Sequence, residues 1–158
     1  MKYIVLIYAM LLIGLDQLIK WIVDVYLKVI PTVGLIEGVV HLTYMENRGA
    51  AFSSFEGQYL FLILFTSAAI FAGLIWICTA KKTTSKLALW SIGTIVGGGI
   101  GNLLDRVFRG YVIDYIDFRI INFAVFNFAD ICVVCGTALL AAYILFSDMG
   151  KKEIAAKK

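Results

Sequence analysis

Residues 59–80, YLFLILFTSAAIFAGLIWICTA, contain no charged side chain, and this stretch limits the possible folds more than any other. As a helix it reaches roughly 33 Å at about 1.5 Å per residue, enough to cross a hydrocarbon layer about 30 Å thick. Inside lipid, a single segment satisfies its own backbone N–H and C=O groups only as a helix. Three further apolar runs lie at about 3–23, 87–104 and 129–146. With 61% hydrophobic residues and one proline, runs of this length are not the core of a water-soluble domain. The expected fold is an α-helical polytopic membrane protein with four transmembrane helices. It forms a single integral-membrane domain over 1–158, with exposed segments at 24–58 and 105–128. A cleavable signal peptide is the competing reading of the first run, but only one Lys precedes it and no small-residue cleavage pattern follows.

Four spans place both termini on one side of the membrane. That side holds eight Lys, in the 81–86 loop and at the two termini, against five Lys or Arg in the opposite segments: Lys28, Arg48, Arg106, Arg109 and Arg119. The positive-inside rule therefore puts both termini in the cytosol. Because the positive charge sits at the ends of spans, the net +3 reads as topology, and no nucleic-acid partner is expected. Cys78, Cys132 and Cys135 lie within apolar runs and read as small buried hydrophobes. The C-x-x-C pair has no nearby His, and neither a disulfide framework nor a metal site is expected.

Residues 97–130 gather four aspartates (Asp105, Asp114, Asp117, Asp130), three arginines and three asparagines between two apolar runs. Ionisable groups are costly beside a membrane and default to a functional hypothesis. In the first span, Asp16 lies roughly 20 Å into the hydrocarbon by helical rise, and Asp16 and Lys20, four apart, share a helix face. The four-span topology brings Asp16, Lys20, Asn102, Asp105, Arg106 and Asp130 to the extracytosolic level, with Asp114 in the segment between helices 3 and 4. Within that segment 111–120 reads as strand, as does 39–47 earlier in the chain. Two carboxylates sharing a site keep one proton between them, which suits activation of water against an amide without a metal or a Ser or Cys nucleophile.

Each feature also has a plainer reading. Asn127 and Asp130 have the spacing of a helix cap. Asp105 with Arg106 and Arg109 suits a structural ion-pair cluster, and Asp16 with Lys20 an intrahelical pair. Gly93, Gly97 and Gly101, spaced four apart, suit close helix packing.

Five ordered blocks carry a resemblance that weighs between these readings. DQLIK (16–20), NRGAAFS (47–53), GGGIGNLLDR (97–106), VIDY (112–115) and FNFAD (126–130) resemble the motifs of the lipoprotein signal peptidase (signal peptidase II) family of bacterial intramembrane aspartyl proteases. The resemblance implies that Asp114 and Asp130 are a catalytic dyad. Asn47, Gly49, Asn102, Asp105, Arg106 and Asn127 form the polar shell around it, with Asp16 and Lys20 in support. It implies a small extracytosolic β-rich cradle and an interfacial helix in the two exposed segments. The implied substrate is a prolipoprotein bearing diacylglyceryl-cysteine, cleaved just before that cysteine, with membrane lipids as the other partners. The protein is then a monomer of the bacterial cytoplasmic membrane, without cofactor, with its active site near the extracytosolic face. Ala124 and Ile131 depart from the family pattern, where Pro and a small or polar residue are common, and bear on local loop shape.

Two other functions fit parts of the pattern. D-R-x3-G-x3-D-x2-D over 105–117 resembles the aspartate array of a metal-dependent CDP-alcohol phosphotransferase, although that family's D-G-x2-A-R start is missing. A non-enzymatic proton-coupled membrane carrier would use the same buried carboxylates as a relay.

Overall fold

The structure, a computed structural model, describes residues 1–30, 32–49, 58–121 and 123–156, with side chains to 147. Helices α1 (Lys2–Leu27), α2 (Tyr59–Thr79), α3 (Lys86–Arg109) and α4 (Phe128–Ala156) are each long and apolar enough to cross a membrane. Strands β1 (Thr32–Ile36), β2 (Val40–Asn47) and β3 (Val112–Phe118) form one antiparallel sheet in the order β1-β2-β3. A polytopic helical membrane protein with a small sheet is thus what the chain forms.

The other three helices pack on α3. Half of its apolar stretch is buried, against 17–22% for the others. Glycine makes this possible. A Cβ on Gly93 would lie 2.5 Å from Val5 Cγ1, and one on Gly97 3.1 Å from Leu12 Cβ, so the face with spacing of four lies against α1. A second face, not read from the sequence, seals α3 to α4. There a Cβ on Gly98 would lie 2.4 Å from the Ala129 carbonyl oxygen, and one on Gly136 2.9 Å from that of Ser91. Small residues let the backbones approach where lipid supplies no hydrophobic drive to associate. The Lys2 ammonium donates to the Cys78 carbonyl at 2.9 Å, so the start of α1 meets the end of α2. At the other end, α1 brings Asp16 beside Gly101.

The charged residues after 104 do not end the third helix, contrary to expectation. Asn102, Asp105, Arg106 and Arg109 all find partners within the protein, so α3 runs on to Arg109. Gly110 then ends it in the left-handed conformation, φ 81°, with its N–H on the Arg106 carbonyl. Asp105 and Arg106 are therefore helical residues, not part of an exposed segment. Helix α1 likewise continues past 23, to Leu27, and α4 begins at Phe128.

Strands β2 and β3 lie within the stretches 39–47 and 111–120 read as strand, and the second gives way to a 3-10 turn at Arg119–Ile121. Strand β1 is an addition, because TVGLI is exposed along its whole length and shows no alternation. It is held by pairing with β2 across a turn containing Gly38 at φ 71°. The expected interfacial helix falls largely on residues 50–57, outside the described residues. The sheet docks on the C-terminal end of α1, where Ile113 and Tyr115 pack with Val23 and Leu27. Phe126 exchanges backbone hydrogen bonds with Ile116, at 2.8 and 3.1 Å, which ties the chain back to β3 just before α4 begins. Asp114 and Asp130 thus lie on two elements joined by one short connection.

Candidate active site

A cavity of about 630 Å³ opens beside these two elements. Its polar lining includes Asn47, Thr66, Asn102, Arg106, Asp114 and Asp130, and Val112, Phe126, Ile131, Val133 and Val134 are among its apolar walls. An adjoining apolar cavity of about 320 Å³ shares Thr66, Gly99 and Val133 with it and continues between α2 and α3 to Gly73 and Ile92. From Asn102 to Ile92 along α3 the pair extends about 15 Å by helical rise.

Three asparagines tie the two aspartates together. Asn127 Nδ2 donates to Asp114 Oδ1 at 2.6 Å and to Asn102 Oδ1 at 3.1 Å. Asn102 Nδ2 donates to Asp130 Oδ1 at 2.7 Å, and Asn47 Nδ2 to Asp114 Oδ2 at 2.8 Å. Each asparagine oxygen faces a donor of its own. Asn47 Oδ1 accepts from Gly49 N–H at 2.9 Å, Asn127 Oδ1 from Asp130 N–H at 3.0 Å, and Asn102 Oδ1 from the Lys20 ammonium at 2.8 Å. Asn127 and Asp130 also form a reciprocal cap, since Asp130 Oδ2 accepts from Asn127 N–H at 3.1 Å. Capping and a place in the cavity wall are therefore compatible roles for the same carboxylate.

Burial of Asp114, first, and the nearby Asp130 charge push its carboxyl up to about 6, against the hydrogen bonds from Asn47 and Asn127 that favour the ionised form. An acid that still holds a proton only one unit below neutrality suits proton transfer.

Behind the asparagines sits a buried charge cluster. Lys20 is fully buried, and its three ammonium protons have three acceptors, Asp16 at 2.9 Å, Asp105 at 2.9 Å and Asn102 at 2.8 Å. Asp16 also accepts from Ala129 N–H at 3.1 Å, which fixes the first turn of α4 against α1. A Cβ on Gly101 would lie 2.5 Å from Asp16 Oδ2, so only glycine admits that carboxylate. Asp105 accepts from Ile113 N–H at 3.2 Å and meets Arg109 at 3.5 Å, and it thereby joins α3 to β3. Of the two arginines expected beside it, Arg109 pairs with Asp105 and Arg106 does not, and Lys20 is its second cation. Arg106 instead donates to the Gly49 carbonyl at 3.0 Å, holding the stem of the segment after Asn47, and its own carbonyl accepts from the Tyr59 hydroxyl.

The aspartates of the 105–117 array do not converge. Asp105 is held by Lys20 and Arg109, Asp117 by Arg119 and Thr43 at 2.9 Å each, and only Asp114 faces the cavity. That geometry speaks against a shared metal site, since two of the three carboxylates already have cation partners.

A family model described as signal peptidase (SPase) II matches residues 8–146. The chain belongs to the signal peptidase II family. A lipoprotein signal peptidase of Clostridioides difficile is 47% identical over 150 residues, covering 94% of this chain and 97% of its own length. One of Halothermothrix orenii is 43% identical over 145 residues, covering 91% and 94%. A solved structure described as a bacterial membrane enzyme, determined by the in meso method, superposes with a TM-score of 0.84 at 26% identity, covering 96% of this chain and 92% of that one. As a member of the signal peptidase II family the protein is a multi-pass membrane peptidase, and the carrier reading falls.

Two residues near the candidate site were given no role from the sequence. Gln17 donates to Asp16 and Asp105 at 3.2 Å and to the Gly101 carbonyl at 3.1 Å. The Tyr115 hydroxyl accepts from Phe128 N–H at 3.1 Å. Gln17 stands inside the DQLIK block and was open to notice, as a third polar residue in an apolar helix. Tyr115 ends the VIDY block, but its role depends on where β3 meets the start of α4.

Proposed function

We propose that this peptidase removes the signal peptide of diacylglyceryl-modified prolipoproteins, cutting just before the lipidated cysteine, with Asp114 and Asp130 as its catalytic dyad. The observation that carries this reading is the pair itself. Asp114 and Asp130 are the carboxylates in the polar lining of the cavity, bridged by Asn102 and Asn127, with an apolar groove leading away between helices. The relatives' description as lipoprotein signal peptidases supports the substrate class.

In the proposed reaction, ionised Asp130 takes a proton from water as the water oxygen attacks the scissile carbonyl carbon. Protonated Asp114, the member on which burial favours the proton, donates it to the carbonyl oxygen. The tetrahedral intermediate collapses as Asp114 recovers that proton and the departing nitrogen takes one from Asp130. The C–N bond breaks and the dyad returns to its starting state. The asparagine amides hold both carboxylates in place through these steps. The apolar groove receives the signal helix and acyl chains, and the lysine distribution puts the dyad at the extracytosolic face, with both termini cytosolic.

The test is gel-shift cleavage by purified protein in detergent of one precursor with and without its diacylglyceryl group, before and after chelation. Cleavage of only the lipidated form, unchanged by chelation, is expected. Equal cleavage of both forms overturns the substrate assignment. Activity lost on chelation and restored by Mg²⁺ overturns the metal-free dyad.

A further inference from the structure

The buried lysine has a partner that an ion pair does not explain. Asp16 and Asp105 take two of the Lys20 ammonium protons, and the third goes to Asn102 Oδ1 at 2.8 Å. An ammonium only donates, so that contact decides which way the Asn102 carboxamide points. Its oxygen faces Lys20 and its NH₂ faces Asp130 Oδ1 at 2.7 Å. The other Asp130 oxygen faces the backbone N–H of Asn127. Both oxygens of Asp130 thus meet donors, an arrangement that favours the charged carboxylate. Asn47 and Asn127 are oriented by backbone N–H groups, which a side-chain substitution elsewhere leaves in place. The orientation of Asn102 rests on side chains alone, Lys20 at 2.8 Å and the Asn127 amide at 3.1 Å.

We propose that Lys20 is a positioning residue for the reaction. By holding the Asn102 oxygen, it turns the Asn102 NH₂ onto Asp130 and keeps Asp130 as the ionised member of the dyad. Without the ammonium only the Asn127 amide holds that oxygen, and a turn of the Asn102 carbonyl toward Asp130 sets oxygen opposite oxygen, which demands a proton between them. Asp105, which holds Lys20, also meets Arg109 at 3.5 Å, and Arg109 reaches Asp24 at 3.3 Å, so the network continues to the C-terminal ends of α1 and α3. Charged and titratable groups facing this arrangement among the described residues are Asp16 on α1, Asp105 and Arg106 on α3, Asp114 and Tyr115 on β3, and Cys132 on α4.

The inference rests on the dyad proposed above, and its test separates the two. The pH dependence of kcat/KM for a lipidated precursor is measured for wild type, Lys20→Arg, Lys20→Met, Asp130→Asn and the double variant Lys20→Met/Asp105→Asn. The double variant removes one charge of each sign and so keeps the cluster's net charge if Lys20→Met alone fails to fold. Lys20→Arg, still a pure donor, keeps the acid limb in its wild-type place. Lys20→Met and the double variant move the acid limb about one to two pH units toward alkaline pH, the size expected for losing a hydrogen bond to a charged group. Activity below the limb falls accordingly, and the interval between it and the alkaline limb set by Asp114 narrows. A purely structural lysine would lower thermal stability or the active fraction with the limb in its wild-type place, and that result overturns the inference. Turnover by Asp130→Asn would instead overturn the dyad itself.

Discussion

At the scale of single residues, the candidate site is a set of amides whose orientations are imposed from behind. Burial and the Asp130 charge raise Asp114 to about 6, above the ordinary 3.8, while the amides of Asn47 and Asn127 pull the other way. A carboxyl raised on folding contributes stability that is fully present below 3.8 and lost as pH rises through about 6. Asp114→Asn, which cannot ionise, should therefore flatten the fall in thermal stability across that window, as read by denaturation in detergent. An Asp114→Asn curve with the wild-type slope would count against it. With Asp114 as the acid, the alkaline limb of kcat/KM belongs to the loss of its proton. Asn47→Ala removes a donor to the ionised form and should move that limb up by about one pH unit, with reduced turnover. A downward shift would contradict the geometry. Much of this was legible in the sequence as residue types: the asparagines and aspartates stood out because polar groups are rare between apolar runs. Their division of labour was not, because Asp105 and Asp114 differ only in which neighbours a distant element brings to them.

At the scale of elements, periodicity and length located four helices but not their ends. The third helix passes through Asp105, Arg106 and Arg109 because those side chains turn inward to Lys20, Gly49 and Asp24, contacts that no local pattern encodes. Its true stop, Gly110, was visible, but the charges before it looked like the edge of the membrane. Strand β1 lacks alternation and exists through its pairing with β2. The glycines were easier to read on one face than on two: spacing of four marks the α1 side, whereas Gly98 stands outside that series. Gly98→Ala should push Ala129, and with it Asp130, away from α3, at a cost of about 1–3 kcal/mol and a clear loss of turnover. Gly14→Ala meets nothing within 4 Å and should be neutral or gain up to ~1 kcal/mol of helix propensity. Thermal denaturation and cleavage rates of the two variants side by side decide this, and equal behaviour would show that the α3–α4 contact tolerates a side chain.

At the scale of the whole molecule, the buried cluster around Lys20 locks α1, α3 and α4 together at one end, and the sheet closes over that end. The proposed orientation follows from lysine distribution, which is a property of the chain rather than of any contact. In intact cells, a membrane-impermeant thiol reagent should label Glu37→Cys and leave Lys82→Cys untouched, in a background without the three native cysteines. The reverse pattern would invert the topology and place the cavity on the cytosolic side. The most direct test of the dyad is gel-shift cleavage of a diacylglyceryl-modified precursor by purified Asp114→Asn and Asp130→Asn beside wild type, each shown to be folded by thermal denaturation. The expected result is a loss of at least about 10³-fold in each, because neither carboxylate alone supplies both the base and the acid. Near-normal cleavage by either folded variant would contradict the assignment.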